Sequence, residues 1–174
     1  SADTVTVIGG TAGTGTGLYG NGGADTLTGG GGQDQLIGGA GTDTVNGNAG
    51  DDTLFINAAS EIAAGETYNG GAGIDTLVGS GITTAVSLAG VTLSNLESIA
   101  GFSSGVTLTA SQLDQFNTII DTGAITLSGA GVPPGWRSKT ATWAASPAGS
   151  TRLPTLAPRW SISMAGPWPW AASA

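Results

Sequence analysis

The 174 residues include no cysteine and no histidine. Without cysteine there is no disulfide framework, no thiolate nucleophile and no sulfur-ligated metal. Without histidine, Ser-His-Asp and Cys-His catalysis and imidazole-ligated zinc are excluded as well. Basic residues are nearly as scarce: Arg137, Lys139, Arg152 and Arg159 stand against 12 acidic residues, for a net charge of −8. Such an excess of negative charge disfavours nucleic acid as a partner. No apolar run reaches the roughly 18 residues of a membrane span. No signal-peptide pattern is visible at the start. The chain opens on Ser-Ala-Asp-Thr-Val rather than on methionine, so it is expected to be a piece of something longer.

What is present is unevenly spread. Every acidic residue lies at or before Asp121; every basic residue, all five tryptophans and all seven prolines lie at or after Pro133. Residues 1–131 therefore carry −12 and residues 132–174 carry +4. The second part has no acid and no sustained apolar period, and its prolines block both helices and ladders. It reads as a Pro/Trp-rich tail, disordered or the product of out-of-frame reading.

The first part is organised by a period of nine. From Gly20 to Phe55 it reads GNGGADTLT, GGGGQDQLI, GGAGTDTVN and GNAGDDTLF, and GGAGIDTLV follows at Gly70. Asp25, Asp34, Asp43 and Asp52 recur at the sixth place, with Leu27, Leu36, Val45 and Leu54 two residues on; Asp75 and Leu77 repeat the pair. Glycine-rich residues form a turn and the last three residues form a short strand. The aliphatic residue points inward and its neighbours outward. One such unit cannot bury its single apolar side chain, so units must stack. Two half-circle units make one coil, and stacked coils lie about 4.8 Å apart. The expected fold is all-β: a parallel β-roll or β-solenoid with glycine-rich turns.

This register carries a chemical consequence. Asp25 and Asp43 are eighteen residues apart and fall on one edge of successive coils; Asp34 and Asp52 fall on the opposite edge. Carboxylates held that close repel and call for a cation. The turns offer carbonyl oxygen and neither nitrogen nor sulfur side chains, a donor set suited to calcium.

The nonapeptides resemble the RTX (repeats-in-toxin) hemolysin-type calcium-binding repeat, G-G-x-G-x-D-x-U-x with U a large aliphatic. The units at Gly29, Gly38 and Gly70 match each fixed position; those at Gly20 and Gly47 place Asn21 and Asn48 second, where a left-handed backbone is still tolerated. The resemblance implies Ca²⁺ between turns, held by Asp25, Asp34, Asp43, Asp52 and Asp75. Backbone carbonyls of the turns would complete the cage, at Gly20, Gly22, Gly29, Gly31, Gly38, Ala40, Gly47 and Ala49. It also implies a secreted, extracellular bacterial protein whose repeats fold on meeting calcium.

Three domains are expected: a calcium-binding roll over 1–81, a continued solenoid or cap without Asp turns over 82–131, and the tail. Residues 56–69 interrupt the period and read as an excursion. Glu61 lies eighteen after Asp43 and is a candidate to cap that edge, although a solvated side chain is the ordinary reading. Glu61 and Glu66 could be offered as an acid/base pair, but nothing else in the segment supports a catalytic site, so no enzyme activity is expected. Thr16 stands where the preceding unit would have Asp. Gly15, Gly17 and Gly20 spell G-x-G-x-x-G, but no amphipathic helix follows, so a dinucleotide site is not indicated. The runs AVSL, VTL, VTL and ITL after residue 82 read as strands, and Thr109-Ala110-Ser111-Gln112 as a capping box with Leu113 and Phe116 inward. Outward threonines such as Thr26, Thr28, Thr44 and Thr53 leave room for a cell-surface or glycan partner, and a secreted hydrolase outside this chain is a further possibility.

Overall fold

A computed structural model describes residues 4–6, 15–120 and 122–128. The reading of residues 132–174 as a tail lies outside the described residues, as does that of the glycine turn at 9–14. The strands follow the repeat. They begin with β1 (Thr4–Thr6), β2 (Gly17–Tyr19), β3 (Thr26–Thr28), β4 (Gln35–Ile37), β5 (Thr44–Ala49) and β6 (Thr53–Ile56). After a 3-10 turn at Ala59–Glu61 come β7 (Thr67–Ala72), β8 (Thr76–Gly79), β9 (Val86–Ser87), β10 (Thr92–Ser94), β11 (Ser98–Ala100) and β12 (Val106–Thr109). The helix α1 (Ala110–Gln115), β13 (Thr118–Ile120) and β14 (Ile125–Ser128) complete the order.

Through β8, odd and even strands alternate between two sheets, as half-circle turns require. One sheet runs β1-β3-β5-β7-β10 and the other β13-β11-β8-β6-β4-β2, with every pairing parallel. The register is that of the repeat: Leu27 pairs with Val45 and Leu36 with Leu54. These side chains, with Leu18, Tyr68, Leu77 and Ile99, form a fully buried seam between the sheets. Their neighbours face out, and Thr26, Thr44, Thr67 and Thr92 stand in one row on successive coils.

After β8 the coil acquires a third side. β9, β12 and β14 form a separate parallel sheet, and Ile82, Leu88, Val106, Leu108 and Ile125 extend the core there. The helix takes the place of a further strand beyond β10. Its capping box is formed as expected: Thr109 Oγ1 accepts the Gln112 N–H at 3.2 Å and Gln112 Oε1 accepts the Thr109 N–H at 2.8 Å. The Gln112 side-chain amide donates to the Leu88 and Val91 carbonyls, both at 2.7 Å. Leu113 and Phe116 are buried. Helix and glutamine thus close backbone groups that another coil would otherwise have paired.

The interruption is narrower than residues 56–69. Ile56 is buried at the end of β6, and Thr67 already pairs with Thr44 in β7. Five extra residues are looped out between these points without shifting the inward face. Glu66, not Glu61, therefore comes level with Asp43. Glu61 instead turns back on its own loop, its Oε2 accepting the Asn57 N–H at 2.6 Å.

Candidate metal centre

Turns leading from the second sheet to the first make one edge of the solenoid, with Asp25, Asp43 and Glu66 at equivalent places. Turns leading the other way make the opposite edge, with Asp34, Asp52 and Asp75. The eighteen-residue spacing does bring aspartates together on neighbouring coils. Asp43 Oδ1 accepts the Asp25 N–H, and Asp52 Oδ1 the Asp34 N–H, each at 2.8 Å. Across the insertion the same bond joins Asp75 Oδ1 to the Asp52 N–H at 2.8 Å. At the start of the second edge, Asp34 Oδ1 accepts the Thr16 N–H, so Thr16 holds the place but brings no carboxylate.

Each glycine turn wraps its own aspartate. A Cβ on Gly29 would lie 2.5 Å from both Asp34 Oδ2 and the Gly47 carbonyl, and one on Gly38 would lie 2.6 Å from Asp43 Oδ2. The first residue of the unit is therefore glycine because carboxylate and next-coil carbonyl fill the space a side chain needs. At the second place the backbone is left-handed: Gly39 and Gly71 have φ of +97° and +109°, and Asn21 and Asn48 take +69° and +74°. The third residues, Gly22, Ala40 and Ala49, lie where the turns pair coil to coil. Gly22 bridges Ala40, Ala49 pairs with Ala72, and the Ala40 carbonyl accepts the Gly23 N–H. The turn holding Gly31 differs, since Asp34 Oδ2 accepts the Gly30 N–H at 2.7 Å and closes on itself.

The electrostatics are one-sided. Asp25, Asp34, Asp43, Asp52 and Asp75 are each at most 2% exposed, and residues 1–131 contain no basic side chain. The second oxygens of Asp43, Asp52 and Asp75 are buried without a hydrogen-bond partner. A buried, unpartnered carboxylate oxygen is costly and normally signals a bound cation or proton. Burial, partly offset by the backbone N–H bonds and reinforced by neighbouring carboxylates, holds Asp43 and Asp52 above the usual carboxylate range. The same causes push Asp75 up to about 6. Glu66 is raised to about 7, by burial first and also by Asp43 and Glu61.

The donors present fit calcium. Among the described residues no three acidic side chains converge, so a cation here would take one or two carboxylates and complete its shell with turn carbonyls. That is an all-oxygen, mainly backbone cage of the kind calcium accepts.

A pH dependence follows. Between the ordinary values of 3.8 for Asp and 4.5 for Glu and the raised values near 6 and 7, the folded chain binds more protons than the unfolded one. The calcium-free fold should therefore gain stability as pH falls from about 8 to about 4.5. In saturating calcium the sign should reverse, because protons compete for the same carboxylates. The β signal of the calcium-free chain at both ends of the range, and the urea midpoint in saturating calcium, check this; a parallel dependence in the two conditions contradicts it.

The edge positions of two carboxylates are not marked by the period. Glu66 sits 23 residues after Asp43 and Glu97 sits 22 after Asp75, neither at a multiple of nine. Glu66 is closed by side chain and loop: Oε2 accepts the Ala63 N–H at 3.0 Å and Oε1 the buried Tyr68 hydroxyl at 3.4 Å. The large inward Tyr68, where other units have Leu or Val, was the signal that this unit differs.

Residues 19–54 and 63–81 match the family model of the RTX calcium-binding nonapeptide repeat, in four copies. No curated protein and no solved structure matches the chain. The stacked turns thus match calcium-binding repeats in sequence, and they offer the oxygen donors that calcium accepts. RTX repeats of this kind are structural calcium-binding modules, generally non-catalytic and typical of secreted bacterial proteins.

Proposed function

We propose that the chain is a calcium-dependent structural module of a secreted bacterial protein, folding when it meets external calcium. Asp25, Asp34, Asp43, Asp52 and Asp75 supply the carboxylates. Carbonyls at the first and third places of the turns, Gly20, Gly22, Gly29, Gly31, Gly38, Ala40, Gly47 and Ala49, supply the remaining oxygens. Residues 1–81 form the ion-binding part, and residues 82–131 are the cap, closed by side chains such as Gln112. The observation that carries this reading is the set of buried second oxygens on Asp43, Asp52 and Asp75, in a region with no basic residue. The cell exterior, where calcium is about millimolar, saturates weak sites of this type.

The test is ion selectivity. Turn carbonyls form a wide and adaptable cage, whereas magnesium demands a tight octahedron and keeps its waters. Calcium at millimolar concentration should therefore titrate the chain with measurable heat, and magnesium at the same concentration should not. Equal response to the two ions would point to general charge screening and remove the proposal's basis.

A further inference from the structure

The last glycine turn, Gly70–Asp75, has no glycine turn after it in sequence, yet the structure supplies one in another form. On the same edge, a Cβ on Gly29 meets the Gly47 carbonyl and one on Gly47 meets the Gly70 carbonyl; one on Gly70 meets the carbonyl of Asn95. Asn95 thus occupies the place of a first-position glycine in the next coil. It adopts a left-handed φ of +50° and is anchored by its side chain, which donates to Asn69 Oδ1 at 2.7 Å. Two residues on, Glu97 takes the aspartate's role. Its Oε2 accepts the Asp75 N–H at 2.9 Å, as Asp75 accepts that of Asp52 and Asp52 that of Asp34. Leu96 between them is buried, and the Glu97 and Ser98 N–H groups donate to the Asp75 carbonyl. Three residues reproduce what six do elsewhere.

We propose that Asn95 and Glu97 complete a further calcium site with Asp75, beyond the nonapeptide repeats; the inference rests on the calcium reading above. Asp75 is fully buried and its Oδ2 has no hydrogen-bond partner. The Asn95 carbonyl and the Glu97 carboxylate bring the two donor types that the preceding site takes from Gly70 and Asp75. Repeat counting gives this edge two spaces between three glycine turns; the structure gives it a third. The other edge behaves differently. The three nearest atoms to a Cβ on Gly38 all belong to Asp43, at 2.6 to 3.1 Å, so no carbonyl of the loop stands as near. Both Glu66 oxygens are already engaged, one by the Ala63 N–H of the loop and one by the Tyr68 hydroxyl of β7. Beyond Asp43 that edge is closed by the protein itself, and among the described residues the cap contributes an ion site at Glu97.

The test counts ions on the full chain by equilibrium dialysis and calorimetry with calcium. Glu97→Gln keeps an oxygen to accept the Asp75 N–H, so a merely structural cap would survive it. Glu97→Gln is expected to bind one calcium fewer than the unaltered chain, while Glu66→Gln keeps the full number. Should Glu97→Gln not fold, Glu97→Asp, which retains the charge on a shorter arm, is expected to keep the number and hold one ion about tenfold more weakly. An unchanged number and affinity in either Glu97 variant overturns the proposal. Absence of binding to the unaltered chain would instead overturn the calcium reading itself, and this site with it.

Discussion

In calcium-free buffer near neutral pH, the chain is expected to show mostly coil by circular dichroism, and to gain β signal cooperatively as calcium reaches the millimolar range. The coils lack a large apolar core. Each nine-residue unit contributes one inward aliphatic, such as Leu27 or Leu36, while ordering a glycine-rich turn forfeits more backbone entropy than any other sequence would. Stacking also buries carboxylates, with residues 1–131 carrying −12 and no basic partner. An ion bound only by the folded chain shifts the balance by mass action, about 2.7 kcal/mol for each site at a hundredfold excess over its Kd. Neighbouring sites share coils, so the contributions arrive together and the transition should be steep. A spectrum indifferent to calcium would show that the side-chain core suffices alone.

The second large effect is expected from a single added side chain. In Gly47→Val the new Cβ would overlap Asp52 Oδ2 and the Gly70 carbonyl. The carboxylate cannot retreat without losing the Asp34 N–H bond at 2.8 Å, and the carbonyl belongs to the next coil's backbone. Overpacking against backbone at a buried polar site should destabilise by about 3 kcal/mol or more. The calcium midpoint for folding should rise at least tenfold, or folding should fail. Gly90→Ala is the control: its Cβ would find only Ala64, at 3.6 Å, an ordinary contact, and its midpoint should stay within about twofold. Equal midpoints for the two variants would mean that the turns do not stack as described.

Legibility in the sequence followed periodicity closely. The Asp–aliphatic pairs from Asp25 to Leu54 read directly as alternating strands, opposite edges and neighbouring carboxylates, because strand pairing preserves an eighteen-residue coil. Asn21 and Asn48 were readable as left-handed substitutes for glycine. The capping box at Thr109–Gln112 was equally plain, being a local pattern. Legibility ended where spacing did. Five looped-out residues moved the carboxylate on the first edge from Glu61 to Glu66, and only strand register, Thr44 against Thr67, reveals it. Glu97 stands in a three-residue turn with no glycine, so nothing local marks it as equivalent to Asp75. The third sheet was hidden for a related reason: its short strands, such as Val86–Ser87, recur without a period, and the pairing is set by coil geometry rather than by motif. Strands β11 and β13 were passed over because their runs, Ser98–Ala100 and Thr118–Ile120, are not preceded by an Asp-glycine turn.

Hydrogen–deuterium exchange on peptides spanning residues 25–56, measured with and without calcium, tests the central claim most directly, since the amides of Asp25, Asp34 and Asp52 donate to the carboxylates of the next coil. These amides are expected to be strongly protected in millimolar calcium and to exchange nearly completely within the shortest labelling time when the ion is removed. Protection that survives calcium removal at neutral pH would contradict that claim.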